Sequence, residues 1–292
     1  MAARHPTLRR LAILGGVLLI VLGLSALARR AKTRGLLGHA VGVVEVRGVI
    51  GDDPELIDTL KNFRESAGIV AVVLRIDSPG GAVAPSQEIS DAIWQLREKK
   101  PVVASLGNVA ASGGYYIASA ANAIVADPGT LTGSIGVIME FRNFAPLADK
   151  VGVSESVVKS GKFKDIGHPL RPMTEEEKAL LQGMVDDVYG QFVAAVVRGR
   201  GLDEAKVRAI ADGRIFSGAQ AKAEGLVDEL GGLDAAVRLA WSKADQTGEP
   251  RTEQHRARQW PWWMDVLGQV VTPSPRSLGG GLLFLYRGAE LD

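Results

Sequence analysis

The chain has no cysteine in its 292 residues. Disulfides, a cysteine nucleophile and thiolate metal sites are thereby excluded, while the compartment stays open. Histidine is scarce too. His5, His39, His168 and His255 are the whole set, and none of them is spaced for metal binding. No metal and no cofactor is expected. An excess of one charge is also missing: 34 Lys and Arg face 33 Asp and Glu, a formal net charge of +1. Without a long basic block beyond the N-terminal region, nucleic acid is not the expected partner. Asp77, Asp127 and Asp165 show no pairing suited to glycoside or metal chemistry and read as caps or turn residues. Apolar residues are plentiful, and a 46% share is ample for a sizeable core.

The N-terminus has a pattern of its own. Residues 1–10 are basic, and Leu11 to Ala28 is an uncharged run of 18 residues. As a helix such a run spans about 27 Å, close to the hydrocarbon thickness of a bilayer. Seven basic residues bracket it (Arg4, Arg9, Arg10, Arg29, Arg30, Lys32 and Arg34). A cleaved signal peptide and an uncleaved anchor both fit. The length of the run, and arginines directly after the small-residue site Ala26-Leu27-Ala28, favour a transmembrane signal anchor over residues 11–28. Positive charge on both sides leaves orientation undecided. Residues 29–38 read as a linker.

From residue 39 to 244 strand and helix patterns alternate. Val-rich Ala40–Ile50, apolar Ile69–Ile76, Val102–Leu106 and Ala123–Ala126 read as strands. Helices are expected from Pro54 to Glu65, Ala84 to Lys99, after Ser112, over residues 142–150, and from the capping box Thr174-Glu-Glu-Glu177 to Arg200. Further helices are expected at 203–211, 219–224 and 233–243. Residues 127–136 read as a long loop, 135–141 and 155–159 as strands, and 213–218 as a turn. Near-continuous apolar strands between helices indicate an α/β fold with a largely parallel sheet covered on both faces. Beyond residue 245 the composition shifts. Residues 246–258 read as loose, followed by Trp260-Pro-Trp-Trp263 and the Gly-rich, apolar run 279–286. This extension, 245–292, could pack on the protein's own surface, touch a membrane surface or form a subunit contact.

Ser112 stands out chemically. It lies between Ala110-Ala111 and Gly113-Gly114, after an apolar strand and at the start of an Ala-rich helix. Small neighbours admit another backbone, and free N–H groups at a helix start favour developing negative charge. A serine nucleophile suits that environment; a simple N-cap is the competing reading. If it is a nucleophile, a base must take its proton. His168 is one candidate. A lysine neutralised by burial is another: Lys164, between Phe163 and Ile166, with Lys162 and Lys159 as rivals. Gly80 and Gly81 follow a parallel strand, where an N–H can face a carbonyl without a side chain in between. Gly113 would supply a second donor. Asp77-Ser-Pro-Gly-Gly81 also fits an ordinary turn into a helix.

Five motifs occur together and in order: Asp77-Ser-Pro-Gly-Gly81, Ala110-Ala-Ser-Gly-Gly-Tyr-Tyr116, Thr132-Gly-Ser-Ile-Gly136, Ser160-Gly-Lys-Phe-Lys-Asp165, and Ala211-Asp-Gly-Arg-Ile-Phe-Ser-Gly218 with Gly225-Leu-Val-Asp228. As a set they resemble the signal peptide peptidase A family of serine proteases, over residues 40–243. The resemblance implies a Clp-protease/crotonase-like spiral of ββα units behind the N-terminal transmembrane helix. It also implies a Ser-Lys dyad: Ser112 as nucleophile, Lys164 as general base, Ser134 orienting the lysine, and an oxyanion hole drawn from Gly80, Gly81 and Gly113. The implied substrates are signal-peptide remnants left in the bilayer. The implied setting is the bacterial cytoplasmic membrane, with the protease domain on the extracytoplasmic side of the anchor. Short members are expected to form homo-oligomeric rings in which neighbours complete each site. Two other readings compete: a crotonase-type acyl-CoA enzyme on the same fold, and a catalytically silent membrane scaffold. The tail beyond residue 245 matches no family motif.

Overall fold

The structure is a computed structural model that describes residues 38–255 and 283–285. The expected anchor at 11–28 and the tryptophan cluster lie outside the described residues. Among those described, no helix is long and apolar enough to cross a membrane.

The centre is a mixed, mostly parallel sheet. Strands β1 (Ala40–Arg47), β2 (Ile69–Ser78) and β4 (Val102–Ala111) run side by side in parallel. Their apolar runs alternate between the two faces, as the two-residue period of a strand requires. Val72, Leu74 and Ile76 enter one core with Val102, Ala104 and Leu106. Val41, Val43, Ala71, Val73 and Val103 enter another on the opposite face. The first core is covered by α1 (Pro54–Glu65), α2 (Val83–Arg97), α3 (Gly113–Ser119) and the long α5 (Glu175–Arg200). The second is covered by α8 (Leu233–Lys243), through Ala236, Val237, Ala240 and Trp241. A strand buried on both faces has no polar side to show, so these segments read as continuous apolar runs.

Helix ends follow local chemistry. Asp53 caps α1 by accepting from Leu56 N at 2.9 Å. Thr174 and Glu177 form the expected capping box of α5. Shorter helices complete the chain: α4 (Ala145–Val151), α6 (Glu204–Ile210) and α7 (Gly218–Glu224).

Several elements differ from the sequence expectation. β1 stops at Arg47, and Ile50 makes only a single parallel bridge, to Gly81 in β3 (Gly80–Ala82). β4 does not turn at Gly107 but runs to Ala111, with a register shift against β2 between Ile76 and Ser78. Its first half pairs with β5 (Ala123–Ala126) and its last residues with β6 (Leu131–Gly133). The change of partner takes the strand past its glycine and brings Ser112 to the sheet's end. β6 falls inside the segment read as loop, whereas 135–141 and 155–159 form no strand. The expected turn at 213–218 contains β7 (Ile215–Ser217), antiparallel to β6. β8 (Glu229–Leu230) pairs with β5. The tail is not loose throughout. β9 (Thr252–His255) adds in parallel to the outer edge of β1, and β10 (Leu283–Leu285) lies antiparallel on β3. Main-chain pairing needs no side-chain pattern, which is why composition alone did not reveal these strands.

Candidate active site

Ser112 closes β4 and opens α3. Its backbone has φ 53° and ψ −117°, a conformation that L-residues seldom adopt. Two hydrogen bonds hold it there: its N–H donates to Gly133 O at 2.8 Å, and its carbonyl accepts from Tyr116 N at 2.8 Å. The side chain makes no capping hydrogen bond, which removes the reading of Ser112 as a simple cap. The residue is 1% exposed, and it lines a cavity of about 560 Å³. Strain at a buried, uncommitted hydroxyl is of the kind that functional sites store.

The glycines around it are set by close approach. A Cβ on Gly81 would lie 2.1 Å from Ile50 O, and one on Gly113 would lie 3.2 Å from both Gly80 Cα and Gly81 N. The first residue of α3 is thus packed directly on β3. Gly113, at the first position of the helix, has no intrahelical acceptor for its N–H. The Gly80 amide is committed elsewhere, donating to Ser78 Oγ at 3.1 Å. That commits one of the three candidate donors within its own loop, while Gly81 lies opposite Phe284 in the β3–β10 pair.

Ser134 has a positive φ of its own, 51°. Its N–H donates to Arg214 O at 2.8 Å. It lines the same cavity as Ser112, with Val137, Ile138 and Tyr189 supplying apolar wall. Asp212 is a wall residue that sequence reasoning gave no role, although it lies in the quoted motif 211–218. Hydrogen bonds from the Arg214 side chain and backbone hold its carboxyl down to about 2. Asp186, also on the wall, had no sequence signal at all; only the docking of α5 brings it there.

The lysine loop stands apart. Lys164 is exposed and does not line the Ser112 cavity. Its rivals are engaged: Lys159 Nζ pairs with Asp165 Oδ1 at 2.5 Å, and Lys162 pairs with Glu176. Lys164 alone of the three has no side-chain partner among the described residues. His168 is occupied otherwise. Its Nε2 is 3.3 Å from Glu155, its Nδ1 accepts from Leu170 N at 3.2 Å, and it lines a different cavity. Asp77 accepts from Val109 N at 3.1 Å. No cluster suited to a metal ion occurs among the described residues. The structure therefore unites Ser112, Ser134, Gly81 and Gly113 and leaves Lys164 outside.

The family model of peptidase family S49 matches residues 95–247. The chain belongs to peptidase family S49. A Synechocystis protein named as a protease is 50% identical over 199 residues, which cover 68% of this chain and 72% of that protein. An Enterococcus faecium protein named signal peptide peptidase SppA is 34% identical over 238 residues, covering 77% of this chain and 69% of that one. The chloroplastic serine protease SPPA of Arabidopsis thaliana is 40% identical over 215 residues, covering 73% of this chain but 32% of that larger protein. As an S49 member the chain is a serine endopeptidase, and its parallel-rich α/β architecture is consistent with that family.

Proposed function

We propose that the chain hydrolyses peptide bonds through an acyl-enzyme on Ser112, with Lys164 as general base and Ser134 orienting the lysine. The carrying observation is Ser112 itself: buried, strained, uncommitted as a cap, open to a cavity and followed by Gly113, which packs closely on Gly80 and Gly81. Neutral Lys164 takes the Ser112 proton as Oγ attacks the substrate carbonyl. The Gly81 and Gly113 N–H groups hold the resulting oxyanion. Collapse breaks the C–N bond, and Lys164 returns the proton to the leaving amine. Water then attacks the ester by the same route and releases the acid.

A lysine serves as base at neutral pH only when burial disfavours its charge. Lys164 is exposed in a single chain, so the dyad forms between copies: Lys164 of one enters the Ser112 cavity of its neighbour. Exposed Phe141, Phe144, Leu147, Val151, Val153 and Val157 precede the lysine loop in sequence and offer an apolar contact surface. Repetition of that contact builds a homo-oligomeric ring of Clp-protease/crotonase-like units. The substrate lies as an extended strand on β3. β10 of the chain itself pairs there, antiparallel, with Phe284 opposite Gly81, so a peptide must displace it. The apolar part of the cavity wall, Val137, Ile138, Val185 and Tyr189, suits the apolar side chains of signal-peptide remnants. Segment 11–28 would hold the enzyme at the cytoplasmic membrane, with the site on its extracytoplasmic side.

The test is co-expression of Ser112→Ala and Lys164→Ala chains, assayed on a signal-like peptide. Each variant alone is expected to be inactive and the mixture to regain part of the activity, because some sites pair an intact serine with an intact lysine. Full activity in either variant alone would overturn the dyad. Folded, assembled mixtures that stay inactive would overturn the shared site.

A further inference from the structure

Arg171 spends every N–H it has on tying the end of the lysine loop to the start of α5. A guanidinium carries five N–H donors in a fixed fork. Nε donates to Asp165 Oδ2 at 3.0 Å. One terminal nitrogen donates to Glu177 Oε2 at 2.8 Å and to Pro172 O at 3.1 Å. The other donates to Glu177 Oε1 at 2.5 Å and to Asp165 O at 2.9 Å. Asp165 is thus gripped by both side chain and carbonyl, and it is the residue directly after Lys164. Lys159 holds the remaining side of its carboxylate.

The other half of the fork reaches the core. Glu177 accepts from Thr174 N at 2.9 Å in the capping box of α5. Val188, Phe192, Val193 and Val196 root that helix in the main core. Its residues Val185, Asp186 and Tyr189 wall the Ser112 cavity. The side chains of Asp165 and Glu177 are 9% and 4% exposed, so the two carboxylates are screened from water, while Arg171 itself is half-buried. The Arg171 hydrogen bonds are the first cause that holds both carboxyls well below their ordinary range, Glu177 at about 2.

We infer that Arg171 is a positioning residue for Lys164: through Asp165 and Glu177 it ties the lysine loop rigidly to α5, so that the Lys164 Nζ is presented from a set place while that side chain stays uncommitted. The backbone of the loop supports this. Lys164 N, Ile166 N and His168 N each bond the carbonyl three residues earlier, at 3.1 Å, so the whole turn moves as one piece with Asp165. The inference rests on Lys164 being the base. Lysine cannot take the place of Arg171, because an ammonium is a point charge that cannot span two carboxylates and two carbonyls at once.

The experiment is a double-mutant cycle of Arg171→Ala with Lys164→Ala on the full chain, with an activated ester keeping residual turnover measurable. Arg171→Ala is expected to lower kcat about a hundredfold, the size of effect that a roughly 1 Å misplacement of a reacting group brings. KM should stay within twofold (about 0.4 kcal/mol). In the Lys164→Ala background the same substitution should cost nothing further, because there is no lysine left to place. Arg171→Lys should fold yet keep most of the kcat defect, and it stands in if the alanine variant does not fold. An unchanged kcat in Arg171→Lys, or a full additional loss in the Lys164→Ala background, would overturn the positioning role. Full activity of Lys164→Ala alone would instead overturn the reading of the base.

Discussion

Gly113→Ala probes the proposed oxyanion donors beside Ser112 by the smallest available change. The added Cβ would meet Ser86 Oγ at 2.8 Å and Gly80 Cα and Gly81 N at 3.2 Å each. Carbon contacts relax only near 3.5–4.0 Å. The start of α3 must therefore withdraw from β3 by roughly half an ångström. Removing one oxyanion donor outright costs about 2.7–4 kcal/mol of transition-state binding. A displaced donor should lose part of that, about 1.4–2.7 kcal/mol, or tenfold to a hundredfold in kcat/KM. Overpacking should cost about 1–3 kcal/mol of stability, offset by about 0.4–1 kcal/mol because alanine has fewer unfolded conformations. Ser86→Ala removes the nearest clash. It also removes the Ser86 hydrogen bond to Ala82 O at 2.8 Å, worth about 1 kcal/mol. The two 3.2 Å backbone contacts remain in the double variant, so recovery is partial, with a coupling of about 1 kcal/mol between the two sites. Steady-state kinetics on a peptide and thermal unfolding of all four proteins give both cycles. Wild-type kcat/KM in Gly113→Ala, or a loss that Ser86→Ala leaves untouched, would refute the packing argument.

Ser112→Ala should abolish peptidase activity yet leave the unfolding midpoint nearly unchanged, since the hydroxyl makes no cap bond and so forgoes the ~1 kcal/mol that a serine cap contributes. Ser112→Gly should raise stability in urea unfolding by about 1 kcal/mol, because relief of a strained backbone, ~1–3 kcal/mol, exceeds the entropic cost of glycine, ~0.5–1 kcal/mol. Glu177 has a depressed folded pKa, so its contribution is present above the ordinary carboxylate value of about 4.3 and is lost as pH falls through its folded value of about 2. The gap in melting temperature between the native chain and Glu177→Gln should accordingly close across that acid window, and a gap that persists below it would contradict the assignment. Deleting residues 279–292 uncovers the edge of β3 where β10 pairs; kcat/KM on a signal-like peptide should rise several-fold, and an unchanged or lower value would speak against β10 as an occupant of the substrate edge.

Much of the fold could be read in the chain because its signals are local. Apolar runs bounded by glycine and proline marked β1, β2, β4 and β5, and Asp53-Pro54 and Thr174-Glu177 marked helix starts by satisfying orphan N–H groups within one turn. The errors lay where pairing across the sheet decides. β6 and β7 are three residues each, too short to show a period, and they exist because β4 exchanges one neighbour for another. β9 and β10 were hidden in the tail for the same reason.

For the site, the sequence alone nominated the candidate residues, because small residues beside Ser112 and glycines after β2 have few other uses in that order. It also carried the rivals for the base without ranking them by contact. Only the tertiary structure showed that Ser112 does not cap its helix, that the Gly80 amide is spent on Ser78, and that Lys159 and Lys162 are committed while Lys164 is not. Those distinctions depend on which donor meets which acceptor across tens of residues of chain, and no local pattern encodes that geometry. The fork of Arg171 is the extreme case. As one arginine among charged neighbours it looks like solvated surface, and it becomes an anchor only when folding brings the end of the lysine loop against the first turn of α5.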